Sequence, residues 1–192
     1  MPTPLEVLAE EASACTNCKL ATAGRTKVVF GMGDPDADLM FVGEAPGAEE
    51  DAQGLPFVGR SGQLLDRLMA EELGMSRAKG VYIANTLKCR PPGNRNPEPA
   101  EIASCRPFLD EQIDLIRPKV IVTLGNFATQ LLLDRTEGIK ALRGRVYRYR
   151  TGAAVVPTYH PSYVLRAGAT GAAAAEMRAD LVRARQAMRV PA

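Results

Sequence analysis

The sequence predicts an α/β protein, a parallel sheet covered by helices on both faces, and three observations predict it. Four short apolar runs read as buried strands: Leu39 to Gly43, Val81 to Asn85, Val120 to Gly125 and Ala154 to Tyr159. The stretches between them carry apolar residues at helical spacing, so strand and helix alternate as they do when crossover helices join parallel strands. The first and last runs end in residues that carry chemistry: Glu44 on a Pro46-Gly47 turn, and His160 before Pro161-Ser162. Ligands of open parallel sheets sit beyond the carboxyl ends of the strands, so these two residues are expected to meet in one crevice.

The elements follow in order. After the first strand, leucines at 64, 65, 68 and 73 behind a Ser61 cap predict a helix over Gly62 to Leu73. The next helix begins near Pro99, sets Ile102, Leu109, Ile113 and Ile116 on one face, and should kink or restart at Pro107, which brings no N–H donor. Asn126 to Leu133 follows the third strand, and Gly171 to Arg189 is a terminal helix with Met177, Leu181 and Met188 inward. No repeat, low-complexity tract or linker interrupts residues 1–192, so a single domain is expected, and 46% hydrophobic content suffices for its core. Glycine-rich nucleotide loops are missing: there is no Gly-x4-Gly-Lys-Ser/Thr, and Gly31-x-Gly33 precedes a strand instead of following one. No run approaches a membrane span, and Met1-Pro2-Thr3-Pro4-Leu5-Glu6 lacks the features of a signal peptide, so a cytosolic protein is expected.

The net charge of +2 hides a gradient: residues 1–51 carry 10 acids against 3 bases, and residues 140–192 carry 10 bases against 2 acids. Such asymmetry suggests a polyanion partner for the basic part. Arg178, Arg183, Arg185 and Arg189 read as the solvated face of the terminal helix, whereas Arg143, Arg145 and Arg166 lie near the strand and loop of His160 and are the better phosphate contacts.

His160 is the only histidine. Two-histidine metal sites are therefore impossible within the chain, and a Ser-His-Asp triad would need this same residue. The four cysteines are the other strong signal: Cys15-x2-Cys18 forms a knuckle, Cys89 follows the second strand, and Cys105 sits 16 residues later on a helix. Disulfides do not suit a cytosolic chain, so metal binding is the preferred reading. Spacing leaves zinc and iron–sulfur both open, with a modest lean to a four-cysteine cluster because the ligands come from scattered segments. Either would tie the N-terminal arm to the Cys89 to Cys105 excursion.

The motifs Cys15-x2-Cys18, Gly43-Glu44-Ala45-Pro46-Gly47, Gly54-Leu55-Pro56-Phe57-Val58-Gly59, Asn85 with Lys88-Cys89-Arg90-Pro91-Pro92, Cys105, and His160-Pro161-Ser162-Tyr163-Val164-Leu165-Arg166 occur in that order. The chain thereby resembles the family 4 uracil-DNA glycosylases, iron–sulfur enzymes of the uracil-DNA glycosylase superfamily, from about Cys15 to Arg166. The resemblance implies a four-stranded parallel sheet between helices, a 4Fe-4S cluster on Cys15, Cys18, Cys89 and Cys105, and removal of uracil from DNA.

The residue types suit that chemistry. A glycosylase takes its nucleotide out of the stack and reads the base edge in a pocket. Cleavage builds positive charge on the sugar and negative charge on the departing base, so an anion is needed near one and a donor near the other. Glu44 suits the first task and His160, donating to uracil O2, the second. Asn85 matches N3–H and O4 with one acceptor and one donor. Phe57 can stack on the base, and the backbone of Gly43, Ala45 and Gly47 can line its edge; taken singly, Phe57 reads equally as plain core and Asn85 as a strand-end turn residue, and it is their order together that favours the pocket. By resemblance Glu50 stands against C5 to exclude thymine, with a solvated acid as the alternative. Tyr163, Val164 and Leu165 look like the loop that fills the gap left in the duplex, with helix packing as the alternative for Val164. Ser61, Lys88, Ser162 and Arg166 are candidate phosphate contacts. A related branch bonds covalently to DNA through a loop histidine, but Pro92-Gly93-Asn94-Arg95-Asn96-Pro97 has none, so turnover is expected. The expected partners are uracil-containing DNA, single- or double-stranded, and downstream base excision repair enzymes, with no membrane and a monomeric chain. Two other classes remain: a redox protein in which the cluster is the working part, and a zinc module that binds nucleic acid without catalysis.

Overall fold

The computed structural model describes residues 1–189. The four apolar runs form strands β2 (Leu39–Gly43), β3 (Val81–Asn85), β4 (Val120–Leu124) and β6 (Ala154–Thr158), every residue of each buried. All four are parallel, β2 lying between β3 and β4 and β4 pairing with β6. Two short antiparallel edges, β1 (Met32–Gly33) on β3 and β5 (Tyr147–Arg148) on β6, extend the sheet to the order β1-β3-β2-β4-β6-β5. The expected four-stranded parallel sheet is thus the core of a six-stranded mixed one. Edge strands of two residues carry no periodicity, which is why sequence reading passes over them. β5 pairs only with Ala154 and Val155, so Pro157 meets no partner on that side, the condition under which proline is tolerated in a strand.

Strand alternation sends residues to two cores. Phe41, Ile83, Val122 and Val156 face one side, packed on α3 (Arg60–Leu68), α7 (Pro161–Ala167) and α8 (Ala172–Met188). Met40, Val42, Ala84, Ile121 and Val155 face the other, packed on α4 (Pro99–Ile116) and α5 (Asn126–Leu133). Helix α3 is capped by Gly59 rather than Ser61, which lies one residue inside it, and continues as a π-turn over Met69–Leu73. Helix α4 runs through Pro107 as one element and does not restart. Met177 and Leu181 of α8 are buried, with Met188 packed at the margin. The remaining α-helices among the described residues are α1 (Pro4–Ser13), which packs on α4, α2 (Ala48–Gln53) and α6 (Ile139–Leu142). Among the described residues no helix is long and apolar enough to cross a membrane.

Candidate active site

The carboxyl ends of the parallel strands deliver the site. β2 ends at Gly43 and turns through Glu44 toward α2. The Glu44 carbonyl accepts from Thr86 Oγ1 at 2.5 Å and Leu87 N at 3.0 Å, so the segment after β3 fixes this turn. The Glu44 side chain is half-buried, and loss of hydration raises its carboxyl above the ordinary value.

β6 leads through Tyr159 into His160, the N-cap of α7. Its Nδ1 accepts from Ser162 N at 3.2 Å and lies 2.8 Å from Ser162 Oγ. With Nδ1 accepting, a neutral ring carries its proton on Nε2. Burial first, and then the Arg166 cation, pull the imidazole down to about 4, with Glu50 working against them. At neutral pH the ring is therefore an uncharged Nε2–H donor.

β3 ends in Asn85, 1% exposed, whose Oδ1 has no hydrogen-bond partner. A buried acceptor without a partner is costly, and such groups concentrate where a ligand completes them. Gly43 lets two side chains pack close against its backbone: a Cβ there would stand 2.5 Å from both Asn85 Oδ1 and Phe57 Cζ. Phe57 is buried, holds a left-handed backbone (φ 53°), and lies with its ring centroid 5.7 Å from that of His160. Glu50 Oε1 accepts from Val58 N and Gly59 N, both at 2.9 Å, and its Oε2 would stand 2.8 Å from a Cβ on Gly47. The structure thus gives Glu50 a loop-holding task beside the pocket.

Two adjoining cavities share Glu44, Ala45, His160, Ser162 and Arg166. One, of about 580 Å³, is lined by Gly47, Glu50, Phe57, Ser61 and Asn85; the other, of about 540 Å³, by Gly125, Asn126, Lys140, Tyr159 and Tyr163. Asn94, Arg95 and Asn96 also line the first cavity, a contribution sequence reading missed because the segment was read only for its lack of histidine. The Glu98-x2-Glu101 capping box was the signal available: buried Glu101 accepts from Arg95 Nη2 at 2.6 Å and sets that arginine at the rim.

Three expectations are corrected. Lys88 cannot meet a phosphate here, being 2% exposed with Nζ donating to Asn85 O at 2.9 Å and Gln112 Oε1 at 2.5 Å. Arg143 is committed to Asp180 (3.0 Å) and Glu176 (3.1 Å), so it braces α8. Val164 is wholly buried in the core, the helix-packing alternative its position left open. Tyr163, its ring tilted against that of Tyr159 with centroids 4.8 Å apart, and Leu165 are partly buried, each packed at the core margin. Arg178 and Arg183 pair with Glu71, Glu72 and Asp180 instead of standing free as a solvated face.

Cys15, Cys18, Cys89 and Cys105 line one narrow pocket with Leu20, Leu87 and Phe108. Donors point at the sulfurs: Arg25 Nη1 to Cys89 at 3.2 Å, Lys88 N to Cys105 at 3.3 Å and Asn17 N to Cys15 at 3.5 Å. Burial disfavours the charged thiolates of the inner pair, pushing Cys105 up to about 11 and raising Cys89, so a bound cation is what would hold them deprotonated. N–H donors and two cations around four sulfurs fit an anionic metal–thiolate group. Among the described residues no three His, Cys, Asp or Glu side chains converge on a single-ion position.

Comparison with known proteins accords with this geometry. A family model described as the Uracil DNA glycosylase superfamily matches residues 30–182. The chain is 47% identical over 168 residues to the type-4 uracil-DNA glycosylase of Sulfurisphaera tokodaii, covering 84% of this chain and 76% of that one. It is likewise 47% identical over 163 residues to the type-4 enzyme of Thermotoga maritima (84% and 83% covered), against 30% over 178 residues to the type-5 uracil-DNA glycosylase of Thermus thermophilus (77% and 78%). A superfamily match across the sheet and pocket, with higher identity to the type-4 than to the type-5 protein, means that the chain belongs to the type-4 family of uracil-DNA glycosylases.

Proposed function

We propose that the chain flips uracil out of DNA and hydrolyses its N-glycosidic bond with Glu44 and His160 on opposite sides of the scissile bond. The carrying observation is the buried Asn85 Oδ1 without a partner. Uracil N3–H completes it, while Asn85 Nδ2 donates to O4. The base enters the cavity that Asn85 and Phe57 line and stacks on Phe57, with the backbone of Ala45 and Gly47 along its edge. As the C1′–N1 bond breaks, its electron pair leaves with the base and charge collects on O2. The Nε2–H of neutral His160 donates to it, a contact worth more as that charge grows. Glu44, whose raised basicity suits proton acceptance, orients water toward C1′ and takes its proton, leaving an abasic site for downstream repair. Glu50 bars the C5 methyl of thymine; Ser61, Ser162 and Arg166 at the cavity lips take phosphates, and Tyr163 and Leu165 reach toward the duplex.

Cys15, Cys18, Cys89 and Cys105 would hold a 4Fe-4S cluster that supplies an anchor and no step of the reaction. A four-iron cluster takes its ligands from scattered segments, which suits a Cys15-x2-Cys18 knuckle and two cysteines 16 residues apart that line one pocket.

Asn85→Asp tests the reading. A carboxylate keeps the shape but cannot donate to O4, so uracil excision is expected to fall by roughly 1 to 3 kcal/mol of transition-state stabilisation or more. Cytosine, which offers a donor at N4, is expected to become a weak substrate. The assay uses oligonucleotides with one uracil or one unpaired cytosine; wild-type uracil activity in the variant would remove Asn85 from the pocket.

A further inference from the structure

The loop that carries Phe57 is held from both sides by charged groups. Its amides at Val58 and Gly59 donate to Glu50. Its carbonyls face Arg77, on the turn before β3: Nη1 donates to Pro56 O at 2.5 Å and Nη2 to Phe57 O. Nε donates to Asp66 Oδ1 on α3 at 2.6 Å, and the arginine side chain is only 15% exposed. The same Phe57 carbonyl lies against Gly62, where a Cβ would come within 1.6 Å of it. All this surrounds a residue with a Cβ at φ 53°, a conformation that persists only where its surroundings dictate it and that clusters at ligand-binding sites.

We propose that Arg77 is a positioning residue for base recognition, its guanidinium fork locking the Pro56 and Phe57 carbonyls so that the Phe57 ring stands against the face of the flipped base. The inference rests on the reading of Phe57 as the stacking ring. The shape of the group matters more than its charge. A planar fork reaches two neighbouring carbonyls while Asp66 holds its third edge, whereas a lysine ammonium is a single point without that fixed geometry. Without the fork the peptide relaxes from the left-handed region and the ring swings off the base plane.

The test is a double-mutant cycle between Arg77 and Phe57 in single-turnover kinetics on uracil-containing oligonucleotide, with thermal melting of every variant. Arg77→Ala is expected to slow excision by roughly ten- to a hundredfold, the scale of a misplaced contact group, and Arg77→Lys to restore little of it. In a Phe57→Ala background the same changes should cost less than about threefold, because there is no ring left to position. A merely structural arginine would lose the same factor in both backgrounds, which would overturn the proposal, as would full activity in Arg77→Ala. If Arg77→Ala does not fold, the cycle with Arg77→Lys decides by the same criterion. Undiminished excision by Phe57→Ala alone would instead remove the stacking reading beneath it, whereas an impaired Phe57→Ala with an additive cycle would remove only Arg77.

Discussion

In the proposed mechanism His160 and Glu44 divide the chemistry through opposite responses to the same desolvation: burial keeps the imidazole neutral and makes the carboxyl a better base. Glu44→Gln and His160→Ala are each expected to slow the chemical step by roughly two or more orders of magnitude with little change in DNA affinity, because each acts on charge that develops only during cleavage. Single-turnover rates at saturating enzyme, set beside binding measurements, check this; weakened binding with an unchanged rate would assign both residues to docking. The pH profile separates them. With His160 titrating near 4, the wild-type rate should show no histidine limb near 6.5, and its acid limb should belong to Glu44 and vanish in Glu44→Gln. Stability follows with a definite sign. The unfolded histidine takes up a proton below about 6.5 and the folded one resists until about 4, so this contribution is intact above 6.5 and lost as pH falls between the two. Glu44, Asn85, Phe57 and His160 were all legible in the sequence, being strand-end or turn residues of the right chemistry. The tautomer of His160, the orphan Oδ1 of Asn85 and the left-handed Phe57 were not, since each depends on what lies across the pocket.

Elements hold these residues through contacts that sequence spacing misreads. Arg143, which looks like a phosphate contact beside the strand of His160, ties α8 to the sheet through Asp180, and Asp180 in turn accepts from Thr158 at the end of β6. Arg143→Ala would leave the buried Asp180 carboxylate to Arg183 and Thr158 alone, and the expected loss is about 1.5 to 3 kcal/mol in denaturant unfolding at neutral pH. The loss should shrink in acid, where Asp180 can neutralise itself by protonation, and an unchanged unfolding midpoint would show the pair to be dispensable. The long elements were readable: four all-buried strands and the α3, α4 and α8 faces follow from apolar spacing alone. Ser61 was misread as a cap because hydroxyls favour that position, yet Gly59 takes it with its amide bound to Glu50.

Across the whole molecule, the cysteine pocket joins the N-terminal arm to the segment between β3 and α4, the same segment whose Thr86 and Leu87 hold the Glu44 turn. With the proposed cluster in place, losing one of its four ligands would release both segments, so Cys105→Ala is expected to yield a colourless, poorly folded protein. Retained cluster absorbance with unchanged melting would remove Cys105 from the ligand set. A brown wild-type protein that cleaves uracil-containing oligonucleotide after alkali would set aside both a purely redox module and a zinc module. The charge gradient is a weaker guide at this scale, since Arg143, Arg150, Arg178 and Arg183 all have carboxylate partners. By itself the sequence determined the α/β class, the strand ends that carry the pocket and the four cysteines, because hydrophobic periodicity and residue chemistry are local properties of the chain. Tertiary structure alone decided that Lys88 points inward, that Arg143 braces α8 and that Arg77 grips the Phe57 loop. Whether a cation meets solvent, a buried carboxylate or a carbonyl depends on neighbours dozens of residues away, and only packing brings those together.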